Sequence, residues 1–131
     1  MKKRNNIITV AIDSPAAAGA GTQAKFIAKE YKLLYLDTGK IYRYIGQVRL
    51  KNKNKLNYYL LKKKIKKIKI RDLKSKTLLS DEVAKSASII AKDIRIRKIV
   101  KNFQTNSAYN PPYKYSGSVL DGRDITSVIM K

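Results

Sequence analysis

Apolar positions along the chain fall into three short continuous runs and several longer periodic ones. The short runs are Ile7 to Ile12, Leu33-Leu34-Tyr35-Leu36 and Ser118-Val119-Leu120. Uninterrupted apolar runs of this length suit strands covered on both faces, as in a parallel sheet. Helical spacing fills the intervals. A helix is predicted from Gly21 onward, and Ile41, Ile45 and Val48 follow at i, i+4 and i+7. Ser80 precedes Asp81-Glu82, acids suited to a first helical turn, with Val83, Ala87 and Ile90 as the buried side. Ile96, Ile99, Val100 and Phe103 make a further amphipathic helix, which Asn110-Pro111-Pro112 ends. One stretch fits two patterns: Leu61, Ile65 and Ile68 share a helical face, while Ile68-Lys69-Ile70 alternates like a strand. No repeat or clean linker divides these pieces.

What stands at the ends of the three apolar runs gives the pattern its chemistry. After the first comes Asp13-Ser14-Pro15-Ala16-Ala17-Ala18-Gly19-Ala20-Gly21-Thr22. This is the strand-loop-helix setting of the phosphate loop G-x-x-x-x-G-K-[ST], with Ser14 in place of its first glycine and Ala20 in place of its lysine. Backbone N–H groups and the positive end of the following helix still attract phosphate, and Gly19 and Gly21 let the main chain approach closely. Thr22 retains the hydroxyl that holds Mg²⁺. The ammonium that meets charge on the β- and γ-phosphates is missing. The second run ends at Asp37-Thr38-Gly39 and the third at Asp121-Gly122-Arg123-Asp124. Ligands of open parallel sheets bind beyond the carboxyl ends of the strands. Three strand ends in succession here carry acids, small residues and arginines.

With these segments in order, the chain resembles the bacterial cytidylate kinases, phosphate-loop enzymes that phosphorylate CMP and dCMP with ATP. The resemblance rests on Ile12 to Thr22, Leu34-Tyr35-Leu36-Asp37-Thr38-Gly39, Tyr42-Arg43, Glu82-Val83-Ala84, Ser86-Ala87-Ser88, Arg95-Ile96-Arg97 and Leu120-Asp121-Gly122-Arg123-Asp124-Ile125. It spans residue 7 to about residue 129. It implies a three-layer α/β/α phosphate-loop fold with a parallel sheet. It also implies in-line transfer of the ATP γ-phosphoryl group to CMP or dCMP, with Mg²⁺, giving CDP or dCDP in pyrimidine nucleotide metabolism. Ala16, Ala17, Ala18, Gly19, Ala20, Gly21 and Thr22 would hold the ATP phosphates, with Thr22 on the metal and Asp121 as a further acid beside it. Arg43 and Arg123 would clamp the acceptor phosphate with the forked geometry that arginine supplies. Thr38 would add a hydroxyl there. By resemblance Ser88, Arg97 and Asp124 line the cytosine pocket, where an aspartate can accept from the exocyclic amine of cytosine.

Departures from the family pattern shape the expectation. Besides Ser14 and Ala20, the segment from about Lys51 to Leu79 is short where the family has an insert with several strands. The family continues beyond the position of Lys131 with a strand, an arginine-bearing lid and a closing helix, so a single incomplete domain over 1–131 with weak or no turnover is expected. A sheet without its last strands would expose an apolar edge. Lys40 is unexpected after Asp-Thr-Gly, and its stem of about 6 Å makes it a candidate substitute for the loop lysine. Lys25 is a rival expected to face solvent.

Length and composition fit one modest core: 131 residues, 44% hydrophobic. The absence of cysteine and histidine excludes disulfides, thiolate metal sites and imidazole catalysis. The apolar stretch after Met1-Lys2-Lys3-Arg4 ends at Asp13, too short for a signal sequence, and no run approaches a membrane span. A cytoplasmic monomer without membrane contact is expected. The net charge of +21 admits a second reading. Lys51 to Arg71 hold ten basic residues and no acid, the composition of a phosphate-backbone contact. Lysines outnumber arginines 23 to 7, as a codon bias toward A and T would produce. A solvated lysine-rich face is favoured over nucleic-acid binding. The alternative function is a non-catalytic basic protein that binds nucleic acid or nucleotide on a degenerate kinase scaffold.

Overall fold

A computed structural model describes residues 7–13 and 20–122. The chain divides into two compact units, one formed by residues 1–38 with 104–131 and the other by residues 39–103.

The first unit is built on a three-stranded parallel sheet. Its strands are β1 (Ile8–Asp13), β2 (Leu33–Asp37) and β3 (Gly117–Gly122), in the order β1-β3-β2. The three predicted strands are therefore present, and the last in sequence lies between the other two. Five of the six residues of β3 are buried, as a central parallel strand requires. Register places Val10 and Tyr35 opposite Val119, and Ile12 and Asp37 opposite Asp121. Side chains alternate across the sheet, so these positions share one face. Helix α1 (Ala20–Tyr31) covers that face. Ala24 and Ala28 pack with Leu33 and Val119, and Val10, Ile12, Ile27 and Tyr35 close the cluster. The two alanines bring the helix axis close to the sheet. Ser118 points the other way, and its hydroxyl donates to the Ala108 carbonyl at 2.9 Å. The C-terminal end of helix α6 (Ile94–Tyr109) thus lies on the opposite face. The result is an α/β layering with helices on both sides of a parallel sheet.

One residue, Lys32, joins α1 to β2, and it does so at φ 53°. Its carbonyl accepts from Ser116 N at 2.9 Å, and Ser116 O accepts from Ile8 N at 3.1 Å. Gly117 follows because a Cβ there would overlap the backbone of Ile8.

The second unit is helical among its described residues. After Thr38, α2 (Thr38–Lys51) continues with Ile41 and Ile45 buried and Val48 half-buried. Then come α3 (Tyr58–Lys66), the short α4 (Ile70–Leu73), a 3-10 turn at Lys76–Leu79, α5 (Asp81–Ile90) and the first part of α6. The ambiguous stretch is helical only as far as Lys66: Asn57 caps α3 by accepting from Leu60 N at 3.1 Å, Leu61 and Ile65 are buried, and Ile68-Lys69 is a non-helical link to α4. Ser80 caps α5 by accepting from Val83 N at 3.2 Å, with Val83, Ala87 and Ile90 inside. Helices α2 and α5 meet at Gly46, where a Cβ would lie 2.7 Å from Ala87 N. At that contact the Ser86 hydroxyl donates to the Gly46 carbonyl at 2.8 Å and accepts from Arg49 at 3.2 Å. Among the described residues no helix is long and apolar enough to cross a membrane.

Candidate functional site

The carboxyl ends of β2 and β3 bring the first residues of two sequence motifs together. Asp37 lies opposite Asp121 in register, and α2 begins on the next residue, Thr38. Thr38 is buried, and its hydroxyl donates to the Asp121 carbonyl at 3.0 Å. That bond fixes the first residue of a helix to the last turn of a neighbouring strand. Asp121 is only 8% exposed. Its carboxylate accepts from the Tyr35 hydroxyl at 3.2 Å, so a buried charge is held by a donor instead of being left bare.

Tyr35 is the residue that sequence reasoning missed. It lies two positions before Asp37, on the face that α1 covers. Burial raises the pKa of its phenol well above the ordinary 10.0, and the charges of Asp37 and Asp121 and the bond to Asp121 add to the effect. It stays a neutral donor at any physiological pH. Lys25 of α1 is exposed, as expected, but its ammonium also lies 5.9 Å from the centre of the Tyr35 ring, within cation–π range. The period-2 spacing of Tyr35 and Asp37 was the available signal. The register that sets Asp121 beside them was not visible in the sequence.

At the phosphate loop, α1 starts at Ala20, and Thr22 is exposed in its first turn. Ala16, Ala17, Ala18 and Gly19 lie outside the described residues, as do the side chains of Ala20 and Gly21, so the placement of Lys40 against that loop falls outside them too. Lys40 itself is half-buried in the first turn of α2. Arg123 and Asp124 also lie outside the described residues.

In the helical unit, Arg43 is half-buried, and its Nη1 donates to the Leu78 carbonyl at 2.9 Å. One arm of the guanidinium is anchored, on a fork that carries further donors. Arg97 is exposed on α6 beside Tyr42 of α2. Burial pushes the Tyr42 phenol upward, and the charge and hydrogen bond of Arg97 partly offset this. Ser88 is exposed on α5 and donates back to Ala84 O at 3.1 Å. Thr38 and Asp121 are thus joined within the sheet unit, while Arg43, Ser88 and Arg97 belong to the helical unit.

Among the described residues no three carboxylates gather as a metal cage. Asp121 and the Thr22 hydroxyl supply hard oxygen donors, which fit a magnesium that draws its other ligands from phosphate and water.

A parallel sheet with a helix opening after the first strand, and acids and a hydroxyl at adjacent strand ends, is the α/β architecture that phosphate-loop kinases share with other nucleotide-binding folds. Comparison with known proteins narrows this further. The family model described as cytidylate kinase matches residues 10–131. A protein named cytidylate kinase from Paramagnetospirillum magneticum is 39% identical over 121 residues, covering 92% of this chain and 57% of its own. Those of Rhodospirillum rubrum and Bartonella tribocorum are 35% identical over 123 residues and 39% over 127, each covering 92% of this chain. They are covered over 57% and 54% of their own lengths. The chain belongs to the cytidylate kinase family and spans little more than half the length of these relatives.

Proposed function

We propose that this chain carries the nucleotide-site scaffold of a (d)CMP kinase, which transfers the ATP γ-phosphoryl group to CMP or dCMP. The observation that carries the reading is the register of Asp37 against Asp121, with the Thr38 hydroxyl bonded to the Asp121 carbonyl at 3.0 Å. It brings Asp37 and Thr38 beside Asp121 at the strand ends, where a parallel sheet presents its ligands.

Such a transfer needs alignment and charge neutralisation more than covalent chemistry. The α1 N-terminus would attract the donor phosphates, Thr22 would hold the magnesium, and Asp121 would stand as a further acid beside it. A magnesium held there would offset charge on the phosphates. The Tyr35 hydroxyl orients the Asp121 carboxylate by donating to it. By the family resemblance Arg43 and Arg123 would take the acceptor phosphate, helped by Thr38. Ser88, Arg97 and Asp124 recognise the cytosine, Asp124 by accepting from the exocyclic amine.

Ala20 favours binding without efficient turnover, because no ammonium extends from that position toward the migrating charge. Loss of one preorganised transition-state donor costs about 2.7–4 kcal/mol, roughly 10²–10³ in rate. A coupled assay of the 131-residue polypeptide with ATP and CMP should therefore give a rate far below the ~1–100 s⁻¹ usual for kinases. A rate inside that range would overturn the argument from Ala20.

A further inference from the structure

The positive charge of the chain is unevenly placed. Residues 39–103 are about half of the chain, yet they hold 21 of the 30 basic residues and only four of the nine acidic ones. That unit has a net charge of +17, and the sheet unit of similar length has +4. A codon bias toward lysine acts on a whole gene and does not by itself concentrate charge in one half of the product.

The concentration is greatest on α3. Its buried side is Leu61 and Ile65. At 3.6 residues per turn the opposite side carries Tyr59, Leu60, Lys63 and Lys66, with Lys67 just past the helix end. Tyr59 is 66% exposed and Leu60 59%. The Lys63 ammonium lies 4.4 Å from the centre of the Tyr59 ring, a cation–π contact that holds a flat aromatic surface among cations. Lys62 and Lys64 are exposed on the flanks. Lysines at the middle of the face oppose burial against an apolar segment.

We infer that this face of α3 binds single-stranded nucleic acid, the lysines meeting phosphates and the Tyr59 ring stacking on an unpaired base. An open ring is useful only where a base offers its own face, which a duplex does not. An anionic membrane fits less well. A surface-bound helix puts a broad apolar stripe at the centre of its outward face and lysines at the margins, whereas Lys63 and Lys67 stand near the centre here.

The test is fluorescence anisotropy of the 131-residue chain with labelled oligouridylate, across a range of potassium chloride concentrations. Lys62, Lys63, Lys66 and Lys67 are changed together to glutamine. The control changes Lys85, Lys92, Lys98 and Lys101, all exposed on α5, α6 and the segment between them. Glutamine keeps helix propensity, and circular dichroism confirms folding of both sets. The α3 set should weaken binding about tenfold or more and flatten the salt dependence by about 0.7 in slope for each phosphate no longer neutralised. The control set should have a much smaller effect. Tyr59→Ala should weaken binding at least about fivefold, with Tyr59→Phe close to the parent, as stacking requires. Equal losses from the two lysine sets would overturn the proposal, as would no effect of Tyr59→Ala. Preference for duplex RNA, or binding to anionic vesicles without binding to the oligonucleotide, would also contradict it.

Discussion

The two units of this chain handle polar residues differently. In the sheet unit a few polar groups, Tyr35, Thr38 and Asp121, are drawn inward at strand ends and satisfied by one another. In the helical unit the polar residues are mostly outward lysines, and specific contacts serve to fasten helices: Ser86 to Gly46, Arg43 to Leu78, Gln47 to Thr77 at 2.8 Å. The same chain thus uses buried polar groups where geometry must be fixed and exposed cations where a surface is presented. Most of the net charge belongs to the helical unit, where Arg43 and Arg97 are the cations that the resemblance singles out and the lysines outnumber them.

The comparison can be pressed first on the helical side. Gly46→Ala would place a methyl 2.7 Å from the backbone nitrogen of Ala87. Backbone cannot swing aside as a side chain can, so crowding outweighs the ~0.5–1 kcal/mol that alanine gains over glycine in a helix. A net loss of about 1–3 kcal/mol is expected in urea unfolding. An unchanged midpoint would mean that α2 and α5 do not meet closely at this position.

The sheet side responds to Tyr35→Phe. This removes the donor to a buried carboxylate and should cost about 1.5 kcal/mol, the lower end for a bond to a charged group because Tyr35 is only half-buried. It also carries a pH signature. The folded state holds the Tyr35 phenol neutral to higher pH than the unfolded chain, whose tyrosines ionise near 10.0. Its stabilising contribution is complete below that pH and declines as pH rises above it. Tyr42, Tyr44 and Tyr58 shift in the same direction. Thermal melts from pH 9 to 11 should show a shallower decline for Tyr35→Phe than for the parent chain. Parallel curves would remove the phenol's environment from the account.

A smaller effect is expected from Ser80→Ala. Loss of the cap on Val83 N should destabilise by about 1 kcal/mol. Helical content at 222 nm through the melt would register it, and no change would show that Asp81 and Glu82 suffice to start α5.

The contrast between the units also governed what the sequence disclosed. The apolar runs of the parallel strands, buried in β2 and β3 and half-buried in β1, were all three legible with their terminal acids. The helices of residues 81–109 were legible from spacing and from Ser80. Residues 51–79 were not, because Ile68-Lys69-Ile70 satisfies two periods at once. The Asn57 cap and the burial of Leu61 and Ile65 make 58–66 helix, and Ile68-Lys69 belongs to neither pattern but links α3 to α4. At the site, Thr38 and Asp121 were singled out as residues, but the bond between them depends on β3 lying next to β2, a choice of strand order. The Leu78 carbonyl that anchors Arg43 from 35 positions away belongs to the same class of long-range contact. Tyr35 was hidden by its own strand, where a tyrosine looks like one more half-buried apolar residue.

The central claim is that the strand-end motifs form a cytidine monophosphate site. Isothermal titration of the folded chain with CMP and with UMP tests it most directly. The account predicts weak binding of CMP in preference to UMP, because a carboxylate accepts from the exocyclic amine of cytosine and meets no donor in the uracil carbonyl, and predicts that Asp124→Ala abolishes the preference. Equal affinity for the two nucleotides, unaltered by Asp124→Ala, would contradict it.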